Sequence, residues 1–233
     1  MQRYFIWNGV RSDTKHIIFN ERVPVIRPEE RVEHVVIPGR PGELTQTEGD
    51  NIFNSYIQTV SISVEGLANV PGVEAWLTGD GYVTFDTQST LKQRARIINA
   101  VTFQRHSRNA DWYTGDVQFY CDPIKYQVTQ SDIEVTSSGT SLSNPGTLPA
   151  FPLITITGSG AVSITIASKT LVIPDLETGW VADCENKWIL DDGVPQFGAW
   201  QGEFPDIPAA GSSTITFTGS ITKIKITPRW RFL

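Results

Sequence analysis

The second half of the chain is built from short stretches in which apolar and small polar residues alternate: Leu153-Ile154-Thr155-Ile156-Thr157, Val162-Ser163-Ile164-Thr165-Ile166 and Thr214-Ile215-Thr216-Phe217-Thr218. A period of two is the signature of a half-buried strand. In Lys223-Ile224-Lys225-Ile226 the same rule sends both isoleucines into a core and both lysines into water. Gly158-Ser159-Gly160, Asp191-Asp192-Gly193 and Ala210-Gly211-Ser212 punctuate these stretches at the spacing of an antiparallel sandwich. A jelly-roll-like β domain is the expectation. The first half is mixed. Val60, Ile62 and Val64 alternate with serines, and Tyr82-Val83-Thr84-Phe85 follows a Gly79-Asp80-Gly81 turn. Beyond Ser89 and Thr90, either of which could cap a helix, Leu91, Ala95, Ile98 and Val101 fall on one helical face, which predicts a helix there. A shorter helical turn is expected at Val73 to Leu77 after Pro71-Gly72, with Trp76 against the sheet. The fold class is therefore mainly β, with a β-rich α+β unit followed by a β-sandwich.

Between Thr136 and Pro149 only two leucines interrupt a run of Ser, Thr, Gly, Asn and Pro, a composition that reads as a linker. Two domains, 1–135 and 150–233, are expected on either side of a 136–149 linker. The first 135 residues carry 13 basic and 17 acidic groups and the remainder 6 and 8, so the second half is charge-poor.

A formal charge of −6 and a pI near 5.1 exclude sequence-independent attraction to nucleic acid or anionic lipid. The longest apolar runs are a few residues, far short of the roughly 20 that span a bilayer as a helix, so no membrane partner is expected. Met1 to Val10 has no apolar stretch of secretory length, which leads to the expectation of folding in a cytoplasm. Cys121 and Cys184, 63 positions apart, have no neighbouring Cys or His at metal-ligand spacing. Two buried free thiols are favoured over a disulfide, and no metal is expected.

Candidate chemistry is thin. The three histidines, His16, His34 and His106, lie near no G-x-S-x-G, reactive cysteine or H-E-x-x-H pattern, so no catalytic residues can be named and no enzyme is expected. Asp191 and Asp192 are neighbours that would point to opposite faces of a strand, and with Gly193 they make a turn rather than a carboxylate pair or a calcium loop. No cofactor motif is present: Gly158-Ser159-Gly160 lacks the following helix and Lys of a phosphate loop. Trp180, Trp188, Trp200 and Trp230 crowd the small second domain, where core packing competes with sugar stacking. Trp200, beside Gln201 and Gly202, is the leading candidate for exposure. In Ile37-Pro38-Gly39-Arg40-Pro41-Gly42, two Pro and two Gly fix an unusual path and display Arg40 on a stiff loop, suited either to recognising a protein surface or simply to joining two strands.

Several of these segments resemble a known family, the distal tail (Dit) proteins of siphophages and their prophage relatives. Phe5-Ile6-Trp7-Asn8-Gly9-Val10-Arg11-Ser12 is similar to the family's opening strand and F-x-x-N-G-x-x-S turn, and Ile37 to Gly42 to its I-P-G-R-x-G signature. Ala75-Trp76-Leu77-Thr78-Gly79 with Tyr82 to Phe85, and Phe119 to Tyr126 with Cys121 as a packing residue, resemble its W-L-x-G strand pair and the close of its first domain. Asn144-Pro145-Gly146-Thr147 with Ala150 to Ile156, and Phe204-Pro205-Asp206-Ile207 with Gly211, resemble segments of its second domain.

The resemblance implies a homo-hexameric hub at the distal end of the virion tail, assembled in the host cytoplasm. Its first domain would form the ring and its galectin-like second domain would project outward. The ring would join the tail tube protein to a tail-tip or baseplate protein and leave a channel through which DNA passes without specific binding, which an acidic chain suits. Ile37, Pro38, Gly39, Arg40, Pro41 and Gly42 are then expected at the ring interface. The chain has no room for an inserted carbohydrate-binding module, so a bare adaptor is expected. The alternative is a carbohydrate-binding module or adhesin whose site lies around Trp188 and Trp200. A glycosidase or peptidase would need a carboxylate pair or metal that the sequence does not offer.

Overall fold

The computed structural model describes residues 3–47, 49–108, 110–209 and 211–233. The chain divides between Val128 and Thr129 into two units. The first contains β1 (Phe5–Trp7), β2 (Val10–Arg11), β3 (Ile17–Phe19), β4 (Val32–Val36), β5 (Glu43–Thr47), β6 (Tyr56–Glu65), α1 (Val70–Trp76), β7 (Asp80–Phe85), β8 (Leu91–Ile97), β9 (Gln104–Ser107) and β10 (Ala110–Gln127). Its main sheet runs β2-β1-β7-β8-β10-β6-β3, with β9 also on β10, and every pairing is antiparallel. The core centres on Phe119, whose ring meets Phe5, Trp7 and Phe85 edge-on at 5.4, 5.5 and 5.8 Å, geometry that aromatic quadrupoles favour. The short helix forms close to the expected place as α1, and Trp76 at its end stacks on Phe5 at 5.4 Å.

The F-x-x-N-G-x-x-S segment folds for reasons that are local and explicit. Asn8 and Gly9 take φ of 48° and 82°, the left-handed pair that a two-residue hairpin turn between Trp7 and Val10 requires. The Asn8 side chain then reaches across to β7, where its Oδ1 accepts the Tyr82 amide at 3.0 Å. Gly81 leaves room for this contact: a Cβ would sit 1.7 Å from Asn8 Oδ1 and displace that side chain from its bond. Ser12, fully buried, accepts the Phe5 amide at 3.1 Å and closes the loop.

One element is corrected. Residues 91–97 are strand β8, not part of a helix, hydrogen-bonded to β7 on one side and β10 on the other. Gln93 and Ala95 face inward, and the Gln93 side chain accepts the Tyr56 hydroxyl at 2.9 Å. A polar residue at an inward position hid the strand's alternation.

The second unit comprises β11 (Ile133–Val135), β12 (Thr140–Asn144), β13 (Leu153–Ile166), β14 (Lys169–Leu176), β15 (Val181–Asp183), β16 (Trp188–Asp191), β17 (Val194–Pro195), β18 (Gln201–Gly202) and β19 (Gly211–Thr227). The order is β11-β19-β13-β15-β16-β17, with β12 on β19, β14 on β13 and β18 on β14. Gly158-Ser159-Gly160, expected as a turn, instead lies within β13, which continues through irregularities opposite β19. The reason is close approach: a Cβ on Gly158 would lie 2.4 Å from Ser220 O, and one on Gly219 would lie 2.3 Å from Ala161 O. The register shifts here, and on either side of the shift Ile154, Ile156, Ile164 and Ile166 of β13 join one core with Ile215, Ile224 and Ile226 of β19. This mainly β architecture is the expected fold class. As expected, Ile224 and Ile226 are fully buried, while Lys223 and Lys225 face outward to pair with Glu134 and Asp132. Asp192 and Gly193, at φ 44° and 80°, make the expected turn between β16 and β17. Of the third expected turn, Ala210 lies outside the described residues, and Gly211 opens β19.

The expected 136–149 linker is also corrected. Residues 140–144 form β12 on β19, Leu142 is 1% exposed, and the whole stretch belongs to the second unit, so the boundary lies upstream at 128/129. Asn144 is what holds the turn after β12. Its Nδ2 donates to Leu148 O and Ile207 O, both at 3.0 Å, and its Oδ1 accepts the Gly146 amide at 2.7 Å. A buried side chain thus serves three main-chain groups of the turn, one of which, Ile207 O, also accepts the Ala150 amide.

Candidate functional site

Two features of the surface are not accounted for by folding alone. The first is the β4–β5 hairpin. Val32 to Val36 pairs with Glu43 to Thr47, and these two strands make a sheet of their own. The six-residue tip is the Ile37–Gly42 segment: the Arg40 amide donates to Ile37 O at 3.1 Å, and Gly39 and Gly42 take φ of 83° and 82°. The structure therefore brings all six predicted interface residues together at one exposed tip, with Arg40 in the open. The strands behind it are exposed on both faces, including Val36 at 68% and Leu44 at 45%. An isolated two-stranded hairpin is marginal in water, and apolar side chains on it gain nothing from solvent.

The second feature is a hollow of about 340 Å³ in the second unit, lined by Lys187, Trp188, Ile189, Pro195, Gln196, Phe197, Gly198 and Trp200. It brings Trp188 and Trp200 together, as the alternative sugar-site reading requires. Their exposures invert the sequence expectation. Trp188 is 50% exposed, whereas Trp200 is half-buried and packs edge-on against Phe204 at 4.6 Å. Trp180 and Trp230 are core residues. Phe197, 88% exposed, was not singled out from sequence, although its setting between Pro195 and Gly198 marks a loop where an aromatic side chain has nowhere to bury.

The turn that presents Lys187 and Trp188 is held by Asp183. Its carboxylate accepts the amides of Glu185 and Asn186 at 3.0 and 3.2 Å, the Asn186 side chain at 2.9 Å and the Arg229 guanidinium at 2.8 and 3.3 Å. Burial opposes that charge, but the bonds from Arg229 and Asn186 outweigh it and hold the Asp183 pKa below the usual carboxylate range.

An open polar hollow in the first unit is lined in part by Asn99, Thr114 and Asp116, and Asn99 is committed to the Asp116 carbonyl and the Gln118 amide, both at 2.8 Å. Both cysteines are free and buried. Burial pushes the Cys121 thiol up to about 12 and the Cys184 thiol higher still, which suits packing and not nucleophilic attack. No cluster of three His, Cys, Asp or Glu able to hold a metal occurs among the described residues, and no helix among them is long and apolar enough to cross a membrane.

No family model and no curated protein matches the chain in sequence. Among solved structures, the chain is similar to the Dit protein (gp 19.1) of phage SPP1, described as a paradigm of the hub adsorption apparatus in phages that infect Gram-positive bacteria. The identity is 17%, the TM-score is 0.78, and the match covers 100% of both chains. Across its whole length this chain therefore has the fold of that phage Dit protein.

Proposed function

We propose that the chain is a siphophage-type distal tail protein, a structural component with no catalytic role. Six copies close into a hub that joins the tail tube to the tail-tip or baseplate proteins and leaves a channel for DNA. The observation that carries this reading is the β4–β5 arm. It projects apolar and cationic side chains from a pair of strands with no core of their own, and an arm of this kind gains its stability by lying on a neighbouring copy. Head-to-tail contacts related by rotation close a ring, and permanent contacts of this sort bury well over roughly 1,000 Å². The full-length fold match and the acidic charge of −6, which keeps DNA from adhering to a channel wall, support the same reading.

Light scattering over a concentration series, with negative-stain images, tests it. A particle of six-chain mass with a central hole is expected from the protein alone or with its tail-tube partner. Arg40→Glu at the tip is expected to weaken that assembly at least tenfold while leaving circular dichroism unchanged. Rings formed undiminished by the variant would remove the arm from the interface, and a monomer in both settings would refute the hub.

A further inference from the structure

We propose that the hollow between β16 and the 195–200 loop is a binding site for a neutral pyranose of an oligosaccharide. The apolar carbon face of the sugar lies against Trp188 and Phe197, and its hydroxyls meet Lys187 and Gln196. Folding does not explain Phe197: a side chain whose burial is favourable stands 88% exposed, beside a Trp that is 50% exposed, at the mouth of one concave site. Exposed aromatic faces beside a lysine and a side-chain amide match a ligand that is apolar on its ring faces and hydroxylated around its edge. At about 340 Å³ the hollow lies at the small end of ligand sites, roughly 300–1,000 Å³.

Charge and backbone narrow the occupant further. Among the described residues Lys187 is the one charged side chain lining the hollow, the neighbouring Glu185 is paired with Arg229 at 3.2 Å, and the molecule as a whole carries a net charge of −6. One cation on a molecule of net negative charge gives a polyanionic polymer little to hold, whereas a neutral sugar needs no array of counter-charges. Strand addition by a peptide is disfavoured as well, since the outermost strand β17 is two residues long and its Pro195 has no N–H to donate. The walls are preorganised. Asp183 fixes the turn that leads into Trp188, the Gln196 amide donates to Ile189 O at 2.8 Å, and Trp200 is wedged on Phe204. A rigid site loses little entropy on binding.

The test uses the full-length chain and a set of neutral probes, chitotriose, maltotriose and lactose, with dextran sulfate as the polyanion. Saturation-transfer NMR and Trp fluorescence are the readouts. At least one neutral probe is expected to bind saturably, with the strongest transfer to its ring C–H protons. Trp188→Ala and Phe197→Ala are each expected to weaken binding at least tenfold. Both residues are exposed, so an unchanged melting temperature and unchanged particle mass check that folding and assembly are intact and keep this test separate from that of the hub. Absence of saturable binding by all neutral probes at millimolar concentration overturns the proposal. So do binding that survives both substitutions and a preference for dextran sulfate. If the same substitutions instead abolish capture of a tail-tip protein, the hollow is a protein contact and the sugar site is refuted.

Discussion

Replacing Asn144 by Ala isolates the contribution of one buried side chain to the second unit. Three main-chain groups lose a partner, and they do not lose it equally. The Gly146 amide bonds to Asn144 Oδ1 at 2.7 Å, and its removal leaves a donor next to Arg231, whose carbonyl already crowds Gly146. Leu148 O loses the Nδ2 donation at 3.0 Å. Ile207 O loses a donation too, but still accepts the Ala150 amide at 2.9 Å. Leaving a buried polar group unpaired costs about 1–3 kcal/mol, so two full orphans and one partial one amount to about 4 kcal/mol. That is a large share of the roughly 5–15 kcal/mol by which a domain is stable. With a urea m-value of about 2 kcal/mol/M, the midpoint falls by about 2 M. Equilibrium urea unfolding gives the total, and hydrogen exchange resolved to peptides covering 140–150 shows whether the loss is local to that turn. Exposed Ser143→Ala is the control and is expected to change stability by less than about 0.5 kcal/mol. A loss below about 1 kcal/mol in Asn144→Ala, or one no larger than the control, would refute the accounting.

Two further outcomes follow from the buried ionisable groups. The depressed pKa of Asp183 means its carboxylate stabilises the fold at neutral pH and that this contribution is lost as pH falls through the folded value, below about pH 4. Asp183→Asn is expected to lower stability at pH 7 and to flatten the acid limb of the stability profile, and a variant whose acid limb matches the parent's would contradict the assignment. Cys121 and Cys184, buried and with raised pKa values, are expected to react with a thiol reagent at pH 8 only after unfolding, so that both titrate in urea and neither in buffer.

Where burial follows a period of two, sequence and structure agree, because the rule and the fold rest on the same geometry. Ile224 and Ile226 are buried between outward lysines for the reason the alternation states. Residues 91–97 show where the rule weakens. Leu91, Ala95, Ile98 and Val101 satisfy a helical face, yet Gln93 and Ala95 face the core and the segment is a strand. Local periodicity cannot register that β7 and β10 stand ready on both sides to take its hydrogen bonds, and Gln93 reads as polar until Tyr56 is seen beside it. The Ser/Thr-rich stretch 136–149 failed in the same way. Its composition suits solvent, but β19 supplies a ladder and Asn144 supplies the bonds that the turn lacks.

The two candidate sites differ in how far the sequence could see them. Ile37 to Gly42 was legible because its geometry is covalent: proline and glycine restrict φ whatever surrounds them, so a displayed Arg40 follows from six letters. That the strands behind it are bare on both faces is a property of what does not pack on them, which no letter records. The aromatic hollow is the reverse case. Trp188 and Trp200 stand 12 positions apart, and which of two tryptophans meets solvent depends on whether Phe204 is there to receive one of them. Trp200 packs there and Trp188 does not, so the exposed aromatic surface passes to Trp188 and Phe197. A loss of sugar binding in Trp188→Ala that exceeds the loss in Trp200→Phe would bear out that partition, and the opposite order would show that Trp200 keeps a ligand-facing surface despite its contact with Phe204.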